Sequence, residues 1–137
     1  MKLLADSAVW LALYDRGDKF HARARHAFES LAEAKVTFIV TDYLVAEATT
    51  LIRGRVGHAP AVACGDWLLG SPRVRLVRID LESWTEAWQL FKKYDDKEFS
   101  FVDCASFIVM RREHVVDALT FDRHFEQMGF RLWPRIK

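Results

Sequence analysis

An excess of charge of either sign is missing from this sequence: Lys and Arg total 20 against 19 Asp and Glu. Net charge alone therefore points to no polyanionic partner. Cysteine is scarce as well, with only Cys64 and Cys104, far apart and in helix-like contexts. That density excludes a disulfide scaffold and fits free, buried thiols in a reducing compartment. No apolar run is long enough to span a bilayer. The apolar stretch after Lys2 is interrupted by Asp6, and no small-residue cleavage site follows, so a signal peptide is not expected. The chain reads as soluble and cytoplasmic, without a membrane partner. Gly/Ser/Pro-rich linkers, internal repeats and low-complexity blocks are all lacking, so residues 1–137 are expected to form one domain. At 51% hydrophobic, a chain of 137 residues has enough apolar surface for a core.

What is present is an alternation of strand-like and helix-like runs. Leu3 to Ala5, Val36 to Val40, Val74 to Ile79, His114 to Thr120 and Phe130 to Trp133 read as strands, the last ended by Pro134. Between them, Ser7 to Tyr14, Lys19 to Ala34, Tyr43 to Arg53, His58 to Leu69, Leu81 to Tyr94 and Val102 to Arg112 read as helices. The second has Phe20, Ala24, Ala27, Phe28 and Leu31 on one face. Gly54 and Gly57 are expected to break the third from the fourth, and Asp80 to cap the fifth. Strands alternating with helices imply right-handed crossovers and a mostly parallel sheet covered on both faces, a three-layer α/β/α architecture.

Four acids stand at the edges of these elements. Asp6 ends the first strand, and Asp122 follows the fourth. Glu47 is about a turn into the helix after the second strand, and Asp103 starts a later helix. In an open parallel sheet, ligands bind beyond the carboxyl ends of the strands, where strand order reverses. Acids gathered there repel one another unless a cation lies between them. Hard divalent ions such as Mg²⁺ take carboxylate oxygens and keep waters for phosphate substrates, so the pattern points to phosphodiester chemistry.

Each acid also has a plainer reading. Asp6 serves as a helix N-cap, and Ser100 with Asp103 has capping-box spacing, where the helix dipole favours an acid. Asp122 has the position to cap a final helix from Arg123 to Met128. Glu47, on a largely apolar helix with Leu44, Val45, Ala46, Ala48 and Leu51, has no local reason to be there. Thr120, on the same strand face as Asp122, offers a hydroxyl to orient a carboxylate or water. Asp42 is read as a helix cap, Asp117 as an edge or salt-bridged residue, and Asp95 and Asp96 as loop residues. The five histidines form no metal motif; His124 is expected to pack at the rim or touch substrate, and a zinc site with Cys104 lacks the usual spacing. Trp10 is a candidate for core or interface. Arg53 and Arg55 flank Gly54 just past the Glu47 helix; surface charge is the default reading, and their position also allows them to meet substrate phosphates.

The segments Leu4-Ala5-Asp6-Ser7-Ala8, Thr41-Asp42-Tyr43-Leu44-Val45-Ala46-Glu47, Ser100-Phe101-Val102-Asp103-Cys104-Ala105 and Thr120-Phe121-Asp122-Arg123-His124-Phe125, with Gly129-Phe130 behind, occur in this order across nearly the whole chain. Together they resemble the PIN-domain ribonucleases, specifically the VapC toxins of toxin–antitoxin pairs. The resemblance implies a five-stranded sheet of order 3-2-1-4-5 and Mg²⁺- or Mn²⁺-dependent endonucleolytic cleavage of RNA. It implies Asp6, Glu47, Asp103 and Asp122 as catalytic residues, with Asp6, Asp103 and Asp122 as metal ligands. It also implies a VapB-like antitoxin, a homodimer, and operator DNA met only through the antitoxin. The competing readings are a PIN nuclease of RNA processing or decay, and a metal-free binding module whose acids only cap helices.

Overall fold

The computed structural model describes residues 1–133, so the expected stop at Pro134 lies outside the described residues. The elements run β1 (Lys2–Ala5), α1 (Ser7–Tyr14), α2 (His21–Ala32), β2 (Thr37–Thr41), α3 (Asp42–Arg55) and α4 (His58–Gly70). They continue with β3 (Val74–Val77), α5 (Leu81–Lys93), α6 (Phe101–Arg112), β4 (Asp117–Leu119), α7 (His124–Gln127) and β5 (Arg131–Trp133). All strand pairs are parallel, and the order is β3-β2-β1-β4-β5, as expected.

β1 is therefore central. Leu3 pairs with Phe38 and Leu4 with both Ile39 and Ala118, all of them buried. Continuous apolar strands of this kind are what a sheet covered on both faces requires. From β1 the chain moves to β2 and β3 on one side, then returns across the sheet to β4 and β5. Right-handed crossovers then place α1 to α4 on one face and α5 to α7 on the other. The reversal occurs between β1 and β4, so their carboxyl ends open on one crevice.

Each face has an aromatic core. Trp10, Phe28, Phe38 and Trp67 pack with ring centroids 5.5–6.4 Å apart. On the α6 and α7 side, Phe107 meets Phe99 and Phe125 edge-on at 5.1 Å and Phe130 at 5.9 Å. Trp10 is thus a core residue. Trp84, Trp88 and Phe91 instead form a stacked row on the exposed face of α5, against Phe101. Both cysteines are free and buried, and burial pushes their thiols up to about 11. No described helix is long and apolar enough to cross a membrane.

Several boundaries differ from the sequence reading, for local reasons. α2 begins at His21 because Asp18 holds the preceding turn, its Oδ1 accepting from Phe20 N at 2.8 Å. α3 runs through Gly54, and the break falls at Gly57, whose φ of 143° suits only glycine. Thr41, not Asp42, caps α3 by accepting from Leu44 N. Asp42 instead accepts from Ile79 N at 3.0 Å and anchors the segment after β3. β4 starts only at Asp117 because His114 sits at a φ of 55°, in the left-handed region. Asp117 is not on an edge strand; its two carboxylate oxygens accept from Arg131 on β5 at 3.0 and 3.2 Å.

Phe38 contacts three rings of its cluster from the middle of the sheet. Phe38→Ala is expected to lower the unfolding free energy by about 3–5 kcal/mol, read from urea denaturation. A loss under about 1 kcal/mol would mean that this cluster does not carry the core.

Candidate active site

The carboxyl ends of β1 and β4 are tied by backbone: Asp6 N donates to Leu119 O at 3.0 Å. This bond delivers the side chain of Asp6 to the crevice. One oxygen caps α1 by accepting from Ser7 N at 2.9 Å, as the plainer reading required. The other accepts from Thr120 Oγ1 at 2.9 Å. Thr120 therefore orients a carboxylate, that of Asp6 across the sheet. Its hydroxyl oxygen also accepts from Asp122 N at 3.0 Å, fixing the turn that carries Asp122.

Asp6 is buried, with 6% of its surface exposed. Its carboxyl is pushed up from 3.8 to about 7, first by burial, then by the charge of Asp103, with a further contribution from Glu47. The bonds from Thr120 and Ser7 act in the opposite direction and are outweighed. Three of the four acids therefore share one electrostatic environment. Glu47 reaches it from α3, where its Oε1 accepts from Ser7 Oγ. No signal in the helix pattern announces that bond, which forms only because α1 and α3 pack together.

Asp103 lies in the first turn of α6 and completes a full capping box. Ser100 Oγ accepts from Asp103 N, and Asp103 Oδ2 accepts from Ser100 N, both at 3.0 Å. Asp122 does not cap a helix, since the N-cap of α7 is Arg123. It holds a tighter turn instead, its Oδ1 accepting from His124 N at 3.0 Å.

That turn brings in a residue the sequence underrated. His124 Nδ1 lies 2.8 Å from Asp103 Oδ2 and 3.1 Å from Asp122 Oδ2. Ionised carboxylates only accept, so Nδ1 carries the hydrogen and donates to Asp103 Oδ2, with Asp122 Oδ2 close beside it. The ring stands edge-on to Phe99 at 5.6 Å. Asp103, Asp122 and His124 each place a ligand-type atom within 4.8 Å of the others. Among the described residues, no cysteine joins this group. The available signal was spacing: an Asp followed two residues later by His brings the imidazole back over its own turn.

Arg55 is engaged elsewhere, 3.7 Å from Asp18, and Arg53 lines a separate cleft between α3 and α4. Asp6, Glu47 and Asp103 thus meet at the crevice, with Asp122 linked to Asp103 beside His124, and carboxylate oxygens so arranged could hold a hard cation.

Comparison with known proteins bears on the family and the fold. The PIN-domain family profile matches residues 3–131. The 23S rRNA-specific endonuclease VapC20 of Mycobacterium tuberculosis is 35% identical over 129 residues, spanning 93% of this chain and 95% of that protein. Ribonuclease VapC26 of the same species is 28% identical over 127 residues, spanning 92% and 91%. The crystal structure of VapC20, described as a sarcin-ricin-loop-cleaving toxin, superposes with a TM-score of 0.86 over 93% of this chain and 95% of that one, at 31% identity.

The raised carboxyl of Asp6 has a consequence for stability. Near pH 3.8 and below, the group is protonated folded and unfolded alike and contributes nothing. As pH climbs from about 4 to 7 the unfolded chain gives up this proton while the folded chain keeps it, so stability falls. Above about 7 the full penalty applies. In EDTA at pH 8, Asp6→Asn is therefore expected to be more stable than the parent by about 1–3 kcal/mol, the gap closing toward pH 4. A variant less stable than the parent at pH 8, in parallel thermal melts, would contradict this account of the acids.

Proposed function

The chain belongs to the PIN-domain family, and on that premise we propose that it is a Mg²⁺- or Mn²⁺-dependent endoribonuclease, the toxin of a VapBC-like pair. The observation that carries the reading is the convergence of Asp103 and Glu47 on a buried Asp6 whose proton affinity they raise. Like charges held this close by a rigid fold are relieved by a cation, and the donor set is all carboxylate oxygen, as Mg²⁺ and Mn²⁺ prefer.

In this proposal Asp6, Asp103 and Asp122 hold the metal, and Glu47 completes the cluster directly or through water. A divalent cation bound there supplies a more acidic water, an anchor for the scissile phosphate and stabilisation of the leaving oxygen. The chain's own residues set the geometry. Thr120 and Ser7 N prevent the Asp6 carboxylate from turning. Ser7 Oγ fixes Glu47, and the capping box fixes Asp103. His124 donates from Nδ1 to Asp103 and lies beside the Asp122 carboxylate. No side-chain nucleophile is needed, and the expected products carry a 5′-phosphate and a 3′-hydroxyl.

The relatives support RNA as the substrate, since one is named for 23S rRNA and another as a ribonuclease. At the level of the family they also support a VapB-like antitoxin as partner; the proposal adds a second copy of the chain, and operator DNA reached through the antitoxin.

The test is cleavage of total RNA and intact ribosomes by antitoxin-free protein in Mg²⁺, Mn²⁺ or EDTA, with Asp6→Asn alongside. Discrete fragments are expected only with metal, and Asp6→Asn is expected to cut slower by about two orders of magnitude or more. Either ion should also raise the melting temperature of the parent and not that of Asp6→Asn. Equal cutting in EDTA, or by Asp6→Asn, would overturn the assignment.

A further inference from the structure

Beside the acids the surface changes character. A cleft of about 540 Å³ runs from Asp122 and His124 past Ala8 of α1 to Lys19 and Phe20. That volume falls in the range of small-ligand sites, about 300–1,000 Å³. Along one side lie two half-buried rings, Phe20 and Phe121, stacked with centroids 4.7 Å apart and planes 18° from parallel. Two cations sit on them. Lys19 Nζ is 4.9 Å from the centre of the Phe20 ring. The Arg23 guanidinium is 5.2 Å from that of Phe121 and 5.3 Å from that of Phe20.

The plainest reading is that the stacked rings only cover the start of α2. It accounts for the rings but not for the cations. About half of the other described arginines are matched to carboxylates: Arg112 meets three, and Arg25, Arg55, Arg75, Arg123 and Arg131 each meet one, while Arg16, Arg53, Arg73, Arg78 and Arg111 meet none. Among the described residues, Lys19 and Arg23 have no carboxylate in salt-bridge range. They are held over aromatic faces instead, by cation–π attraction, which leaves their charge available. Phe121 is also the residue immediately before Asp122, so the ring pair is fixed relative to the acids by one peptide unit.

A polyanionic strand approaching four carboxylates is repelled except where a cation neutralises them. Positive groups beside the acids, unspent on the protein's own carboxylates, supply the complementary charge that such a strand needs. Aromatic rings and an arginine plane supply the surface on which an unpaired base stacks.

We propose that this cleft is the subsite for the RNA strand next to the scissile phosphate. Lys19 and Arg23 contact the phosphates of neighbouring nucleotides, and an unpaired base lies against the Phe20–Phe121 pair and the Arg23 guanidinium. The proposal rests on the nuclease reading of the acids and adds to it the path by which substrate leaves them. It places the preference for an unpaired nucleotide in residues outside the acid cluster.

The experiment compares Lys19→Gln/Arg23→Gln with the charge-matched Arg25→Gln/Arg111→Gln, which alters exposed arginines of α2 and α6 outside the cleft. Steady-state cleavage of a fluorescein-labelled single-stranded RNA gives kcat and KM, and anisotropy gives binding as a function of salt. The first pair is expected to raise KM about tenfold with little change in kcat, because phosphate contacts act on ground and transition states alike. Its plot of log affinity against log salt should be shallower by about 1–1.5, the loss of two phosphate contacts on a single strand. A parent that cleaves RNA, with the two double variants indistinguishable in KM and salt slope, would overturn this inference alone. A parent that neither binds nor cleaves RNA in the presence of metal would overturn the nuclease reading and this inference with it.

Discussion

The structure depends on an electrostatic arrangement that opposes folding. A carboxylate stands at the buried end of the central strand, within the field of two others. Two hydrogen bonds favour its charge, while burial and the neighbouring acids disfavour it, and burial is the largest influence. Such a group persists only if the surrounding structure cannot relax away from it. The aromatic cores on the two faces provide that rigidity, because they fix the ends of β1 and β4 from both sides. Apolar packing thus holds like charges at a separation they would not choose.

The polar connections at the rim are few, and several are shared. Thr120 donates to Asp6 while accepting from the backbone of Asp122, so one hydroxyl joins the ends of two strands and the following turn. Asp103 Oδ2 accepts from both Ser100 N and His124 Nδ1. The segment from Leu119 to Phe125 alternates between duties: Leu119 and Phe125 are buried in the core, while Thr120, Asp122 and His124 face the acids. Displacing this segment would disturb packing and site together.

Much of this was legible in the sequence. The apolar runs of β1 and β2 announce a doubly covered parallel sheet, and an Asp directly after the first run lies at a strand end whatever else it does. The capping box of Ser100 and Asp103 is a local signal, and it forms as read. Glu47 was different: nothing in its own helix explains it, and only resemblance selected it. The Ser7 bond that holds it spans 40 residues of sequence, beyond the reach of any local pattern. The bond from His124 to Asp103 and the Phe20–Phe121 stack lie beyond local patterns for the same reason, since their partners come from separate elements, although the rim position of His124 is legible. Boundaries moved where a tertiary bond outweighed propensity, as when Asp42 turned from capping its helix to holding Ile79 N.

The two roles of Asp103 have a genetic corollary. Its carboxylate both starts α6 and faces the crevice, so a lesion there withdraws a helix cap along with a charge, and losses of 1–2 kcal/mol are enough to lower the abundance of a protein several-fold. Asp6 also caps a helix, α1, but asparagine caps equally well there, and the charge of Asp6 works against the fold. Lesions at the two positions therefore differ in kind. Alleles at codon 103 that lose the cap deplete the gene product, whereas a conservative allele at codon 6 leaves a full complement of folded chains to compete for whatever the parent chain binds.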